Sequence, residues 1–174
     1  MRKIFNTCSV SLALGLRLAV AHAEPAAAPC SQPVAPEGEL APWSTPVEMQ
    51  AAADAGESSA ATVAIGQAVR LTLLPTPRVH YPLRPEKPGG SVSHGGLVVF
   101  TVTDRGTYRV ALSSPAWIDV VAQGTAQIAT AHGHGPACTG VHKIVDFALA
   151  PDHYTLQIGA NGEPQTTLLV VRKP

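Results

Sequence analysis

From residue 62 onward, the sequence is a succession of short runs rich in β-branched and aliphatic residues, separated by turn-forming residues. Val69, Leu71 and Leu73 alternate with polar residues, which places them on one face of an extended strand. Residues 104–106 and 161–162 have the Asp, Asn and Gly composition of tight turns between neighbouring strands. No run in this part has the length and period of an amphipathic helix, so an all-β fold is predicted.

The alternation recurs at Tyr108, Val110 and Leu112 and supports several further strands. The predicted strands cover residues 62–65, 68–74, 96–103, 107–113, 117–122, 126–131, 141–149, 154–158 and 166–172. Short strands at this spacing, joined by close turns, favour antiparallel neighbours. The prediction for residues 62–174 is therefore an antiparallel two-sheet sandwich, of jelly-roll or related topology.

Residues 1–23 have the composition of a secretory signal peptide. Arg2 and Lys3 precede a mostly apolar run over residues 10–20, and Ala21 and Ala23 provide small residues for cleavage. The apolar run is too short to span a bilayer. We therefore expect a periplasmic or secreted protein without a membrane span.

Residues 24–61 form a Pro/Ala-rich arm in which a helix or a central strand is excluded over most of the length. The prolines responsible are Pro25, Pro29, Pro33, Pro36, Pro42 and Pro46. Leu40, Trp43 and Val47 are candidate anchors for an arm docked on the domain, and residues 48–53 allow one helical turn. A partly disordered linker is the alternative.

The charge balance argues against nucleic acid as a partner. Removing the signal takes away Arg2, Lys3 and Arg17 but no acidic residue, which leaves nine basic and twelve acidic residues. Proteins that bind nucleic acid or anionic membranes normally present a basic surface. The remaining partners are a metal ion or a protein of the cell envelope.

Two cysteines, Cys30 and Cys138, remain after signal cleavage. In an oxidising compartment, two such cysteines most simply form a disulfide, which would tie the arm to the loop that contains Cys138. The alternative is that Cys138 is a metal ligand.

A histidine-rich loop over residues 131–143 is the main candidate site. His132, His134 and His142 lie within eleven residues, between two predicted strands. On extended backbone, His132 and His134 point the same way, and a hairpin returns His142 towards them. Three imidazoles suit zinc or copper, with Cys138 as a further candidate ligand. The alternative is a solvated glycine-rich loop whose histidines are merely polar.

Two other residues are candidates to complete this site. Asp146 shares a strand face with His142 and is predicted to orient it through a hydrogen bond. His94 lies in a long proline-rich connection over residues 75–96, and it becomes a fourth ligand if that connection folds over the loop.

Trp117 and Asp119 alternate with apolar residues in one predicted strand. Trp117 is interpreted as a packing residue, whereas Asp119 needs a partner if it is buried, either Arg109 or Lys143. The chain has no nucleophile elbow, no phosphate-binding glycine loop and no His-Glu-x-x-His motif. Whether it is an enzyme stays open, and a non-catalytic role is favoured.

The runs over residues 106–112 and 151–158 resemble the glycine-then-Tyr-x-hydrophobic strands of pre-peptidase C-terminal-like β-sandwich domains. The resemblance covers about residues 97–171. It implies a non-catalytic module of a secreted protein, of a kind that sometimes binds calcium or carbohydrate.

The histidine-rich loop, together with residues 117–121 and 142–147, is similar to a group of short, exported, proline-rich proteobacterial proteins. Some of these are labelled homogentisate 1,2-dioxygenase, which implies an iron held by two histidines and a glutamate in a much longer cupin. Because this chain is short and lacks the matching His-Glu motif, we treat the label as a misnomer.

Three functional hypotheses follow from the sequence. The first is an exported β-sandwich that binds Zn or Cu through the histidine-rich loop. The second is a non-catalytic envelope module that contacts a protein or a glycan. The third is a non-haem iron dioxygenase.

Overall fold

A computed structural model describes residues 30–174 of the chain. The predicted signal peptide and residues 24–29 of the arm lie outside the described residues. Within residues 30–174, no helix is long and apolar enough to cross a membrane.

The described residues form strands joined by turns and by three short 3-10 helices, Gly38–Ser44, Ser58–Ala60 and Thr76–Arg78. The strands are β1 (Val47–Gln50), β2 (Ala68–Thr72), β3 (Leu74–Pro75), β4 (His94–Val102), β5 (Gly106–Leu112), β6 (Trp117–Ala122), β7 (Thr125–Ala126), β8 (Ala129–Gly133), β9 (Lys143–Leu149), β10 (Asp152–Asn161) and β11 (Gln165–Arg172).

The strands assemble into two sheets. One has six strands in the order β1-β2-β11-β5-β9-β8, and the other has five in the order β3-β4-β10-β6-β7. All neighbouring strands are antiparallel except β1 and β2, which pair in parallel. The predicted two-sheet β-sandwich is therefore confirmed, with one parallel strand added at an edge.

The main core lies between the two sheets. Val69, Leu71 and Leu73 all belong to it, as do Tyr108, Val110 and Leu112, so the alternation read from the sequence marks the inward faces. Phe100 of β4 stacks on Tyr154 of β10 with ring centroids 5.5 Å apart. Burying a large apolar side chain of this kind contributes roughly 1.5–3 kcal/mol.

A second apolar cluster covers the outer face of the six-stranded sheet. Leu40 and Trp43, from the first 3-10 helix, pack there against residues that include Leu169 and Val171 of β11. The predicted Cys30–Cys138 disulfide is formed, with Cα atoms 5.4 Å apart. The arm is thus docked on the sheet, with Leu40 and Trp43 as anchors, while Val47 is 43% exposed.

Three predicted elements differ in the structure. Residues 47–50 form β1 rather than a helical turn, because Met49 packs against the core opposite Leu71. Residues 62–65 make only an isolated bridge, Thr62 to Val99. The strand predicted over residues 126–131 is divided into β7 and β8, because the chain crosses from one sheet to the other there.

The connection of residues 76–93 covers the outer face of the five-stranded sheet. The Tyr81 hydroxyl donates to the Ile158 carbonyl at 2.9 Å, and the Gln157 side chain bonds both the N–H and the C=O of Leu83 at 3.0 Å. Gly95 lies directly under Tyr81, where a Cβ atom would overlap the tyrosine hydroxyl. These contacts fix the connection across β10, which lies next to β6 in the sheet.

Candidate functional site

The histidine-rich loop brings three imidazoles to one shallow pocket. His132, His134 and His142 line a pocket of about 240 Å³. His134 Nδ1 donates to the His142 carbonyl at 2.9 Å, and the two rings lie edge to face with centroids 5.7 Å apart. Gly135 allows this turn, because a Cβ atom there would overlap Val141.

The other predicted ligands do not join this pocket. Cys138 forms the disulfide with Cys30, so its prediction as a metal ligand is wrong. His94 begins β4 in the opposite sheet, where it pairs with Pro75 and Asn161. Within residues 30–174, no group of three or more His, Cys, Asp or Glu side chains is arranged to hold a metal ion.

Asp146, predicted to orient His142, takes part instead in a network of charges on the outer face of the six-stranded sheet. It accepts hydrogen bonds from Arg109 at 2.8 and 3.0 Å and from Lys173 Nζ at 2.9 Å. These hydrogen bonds, above all those from Arg109, hold the pKa of Asp146 below its ordinary value. Arg109 also donates to Glu39 at 2.8 Å, which links the network to the arm.

A cleft between the sheets is the most enclosed of the candidate binding sites in the described residues. We call it the inter-sheet cleft. It lies between β6 of one sheet and β8–β9 of the other, and its volume is about 390 Å³. Ile118, Val145 and Phe147 supply its apolar surface. Trp117, Asp119, Gln127, Ala129, His132 and Lys143 complete the lining. A mostly apolar cleft with a few polar groups is typical of sites for small ligands.

Asp119 is held by two neutral donors rather than by a cation. Trp117 Nε1 donates to one of its oxygens at 3.0 Å, and Gln157 Nε2 donates to the other at 3.4 Å. Burial raises the pKa of Asp119, and these two hydrogen bonds oppose the rise. Arg109, predicted as a partner, lies in the opposite sheet and bonds Asp146. The charge of Lys143 favours the ionised carboxylate from a distance.

Two lysines lie close to the indole of Trp117. Lys87 Nζ lies 5.3 Å from the ring centroid and Lys143 Nζ lies 5.7 Å from it. Both distances are in the range of cation–π attraction. Lys143 also donates to the Ala116 carbonyl at 2.7 Å. Burial lowers the pKa of Lys143, and the nearby charge of Lys87 lowers it further.

Sequence reasoning missed Lys87 and Gln157 as parts of this site. Gln157 carries the clearer signal, because an amide between Leu156 and Ile158 in a strand is buried only when it has partners. Lys87 carries no such signal in the sequence, since a lysine in a proline-rich connection is ordinarily solvated.

Comparisons with known proteins give a limited result. No protein-family model matches the chain, and no curated protein matches it. Among solved structures, the chain is similar to the pre-peptidase C-terminal domain of a collagenase from Bacillus anthracis. The identity is 16%, the match covers 63% of this chain and 91% of that chain, and the TM-score is 0.41. This domain is of the type that the strands were predicted to resemble. The assignment of the fold as a β-sandwich rests on the strand pairing in the two sheets.

Proposed function

We propose that the protein is an exported, non-catalytic binding module of the cell envelope that holds its ligand in the inter-sheet cleft. The observation that carries this proposal is the cleft itself, which combines the apolar surface of Ile118, Val145 and Phe147 with a polar rim. The rim consists of Asp119, Gln127, His132 and Lys143. The Cys30–Cys138 disulfide supports export, because such bonds persist in oxidising compartments.

The hydrogen bonding of the rim supports binding rather than chemistry. Both oxygens of Asp119 accept hydrogen bonds from side chains of its own sheet. Lys143 is tied to a backbone carbonyl. These polar groups are held in place as a preformed surface, and pre-organisation of this kind favours ligand binding.

A cleft-filling variant tests the proposal. Ala129 lines the cleft, whereas Ala126 is exposed on β7 and does not. We expect immobilised wild-type protein to retain an envelope component in the presence of a chelator. Ala129→Trp should abolish retention and Ala126→Trp should preserve it. Retention that survives Ala129→Trp, or that disappears with chelator, would contradict the proposal.

Binding of zinc or copper is a second candidate function, favoured by the geometry of His134. Its Nδ1 donates to a backbone carbonyl, and in the neutral ring this places the lone pair on Nε2, the arrangement found in many metal-ligating histidines. His142 and His132 line the same pocket, but within residues 30–174 no three such side chains are arranged to hold an ion, so their rings would have to turn towards His134 to become ligands. The role would then be metal sequestration, delivery or sensing.

Equilibrium titration with Zn²⁺ and Cu²⁺ tests this second function. Removal of one of two or three ligands should weaken binding at least tenfold, so His134→Ala and His142→Ala should each lose affinity. His80→Ala, an exposed histidine outside the loop, is the matched control. Equal affinities in all of these proteins would exclude the site. No observation on residues 30–174 favours the iron dioxygenase alternative.

A further inference from the structure

Two ammonium groups from separate parts of the chain converge on one side chain of the inter-sheet cleft. Lys87 comes from the connection over the five-stranded sheet, and Lys143 is the first residue of β9 in the other sheet. Their Nζ atoms lie 5.3 and 5.7 Å from the centroid of the Trp117 ring. Two ammonium groups therefore lie at this end of the cleft, where Lys143 and the carboxylate of Asp119 both belong to the lining and Lys87 lies beside it.

Nearby acidic groups do not pair with these charges. Within residues 30–174, Lys87 Nζ has neither a hydrogen bond nor an ion pair, and Lys143 Nζ bonds only the Ala116 carbonyl. An ammonium group has three donors, so most of those in this pair are unused. Two carboxylates lie nearby. Trp117 and Gln157 donate to the oxygens of Asp119, and Glu86, next to Lys87 in the chain, forms no ion pair with either lysine.

We infer that the ligand of the inter-sheet cleft is an anion with an apolar body. Its acidic group would lie at the Lys87–Lys143 pair and accept their free N–H donors. Its apolar part would contact Ile118, Val145 and Phe147, which lie deeper along the same cleft. The inference rests on the proposed function and adds the charge and the chemical class of the ligand.

Two fluorescent probes with related ring systems separate charge from apolar contact. Anilinonaphthalene sulfonate carries one negative charge, and phenylnaphthylamine carries none. We expect the wild-type protein to bind the sulfonate more tightly than the neutral probe. Lys87→Gln should weaken sulfonate binding about fivefold, as expected for the loss of one exposed ion pair, and leave the neutral probe unaffected.

Arg84→Gln is the matched control, because it removes one exposed positive charge from the same connection. Lys143→Met, which keeps the apolar stem, should weaken sulfonate binding at least as much as Lys87→Gln. If near-ultraviolet circular dichroism shows that Lys143→Met is unfolded, the measurement on Lys87→Gln decides the test, because Lys87 is exposed.

The outcomes distinguish this inference from the proposed function. Equal binding of both probes, blocked by Ala129→Trp but insensitive to Lys87→Gln, would overturn the anionic ligand and leave the cleft as a binding site. Probe binding that is absent, or that is unchanged in Ala129→Trp, would overturn both.

Discussion

Asp146 is a single carboxylate on which the attachment of the arm depends. Its side chain is 5% exposed and bonds Arg109 and Lys173, and Arg109 in turn bonds Glu39 in the first 3-10 helix. A buried ion pair has a modest net contribution, because desolvation offsets the attraction. Removing Asp146 is costly, since the largely buried Arg109 then keeps only Glu39 as a charged partner.

Asp146→Asn should therefore destabilise the fold by about 3 kcal/mol. The measurement is urea denaturation at neutral pH. Glu48→Gln is the control, because it breaks the exposed ion pair with Arg70 and should cost less than about 1 kcal/mol. Equal effects of the two substitutions would contradict the assigned role of Asp146.

The lowered pKa of Asp146 predicts that the folded protein loses stability at acid pH. The pKa of Asp146 in the folded protein is lowered from 3.8, so the folded state binds this proton less readily than the unfolded chain. Its stabilisation is present above the unfolded pKa and is lost as the pH falls through the folded pKa. The raised pKa of Asp119 acts in the opposite sense. Below about pH 4, we expect the unfolding free energy of the wild type to fall more steeply than that of Asp146→Asn. Parallel curves from denaturation across pH 3–7 would refute this.

Single residues also indicate how much of the site can be predicted from sequence. The three histidines were identified from their spacing, and they do line one pocket. The partner of Asp119 was not predictable from sequence. Strand alternation shows which residues share one face of a strand, but it does not show which strands lie in the same sheet. Arg109 is in β5, which pairs with β9 and β11, so it meets Asp146 rather than Asp119. The relative direction of imidazoles depends on turn geometry, which spacing alone does not determine.

Among the larger elements, the connection of residues 76–93 positions one side of the cleft. Tyr81 anchors it to Ile158, and burial raises the pKa of Tyr81 to about 12, with a further contribution from the charge of Asp119. Leu83 is held through Gln157, which also holds Asp119. Displacing Tyr81 would therefore be transmitted to the rim of the cleft.

Gly95→Ala is expected to displace this connection. The added Cβ would overlap the Tyr81 hydroxyl and the Ile158 carbonyl, and overpacking of this kind costs about 1–3 kcal/mol. Amide hydrogen exchange should show faster exchange at Leu83, whose N–H bonds Gln157. Gly162→Ala is the control, because no atom lies within 4 Å of the added Cβ. Unchanged protection of Leu83 in Gly95→Ala would contradict this assignment.

The strands themselves were mostly predictable, and the exceptions have physical causes. β6 was predicted with the bounds it has, because its composition and alternation are local properties. β7 and β8 read as one strand, since nothing local marks the crossing between sheets at Gln127 and Ile128. β1 was missed because its four residues depend on pairing with β2, a contact made across the sheet rather than along the chain.

For the molecule as a whole, the two sheets are covered on their outer faces by segments with little regular structure. The arm covers the six-stranded sheet through Leu40 and Trp43, and residues 76–93 cover the five-stranded sheet. The arm alone is covalently tied, by a disulfide that joins residues 108 positions apart in the chain. In the chain-entropy account, a loop of this size restricts the unfolded state by about 4–5 kcal/mol.

Loss of the disulfide should therefore lower stability and loosen the arm together. We expect the double variant Cys30→Ser with Cys138→Ser to lose several kcal/mol of unfolding free energy in urea, up to about 5 kcal/mol. Trp43, which is 8% exposed, should become more accessible to a fluorescence quencher. Wild-type protein treated with reductant should behave like the variant, and Trp43→Phe identifies the reporting indole. An unchanged denaturation midpoint on reduction would mean that packing alone holds the arm. If the midpoint falls, full stability requires an oxidising compartment, as the proposed export would provide.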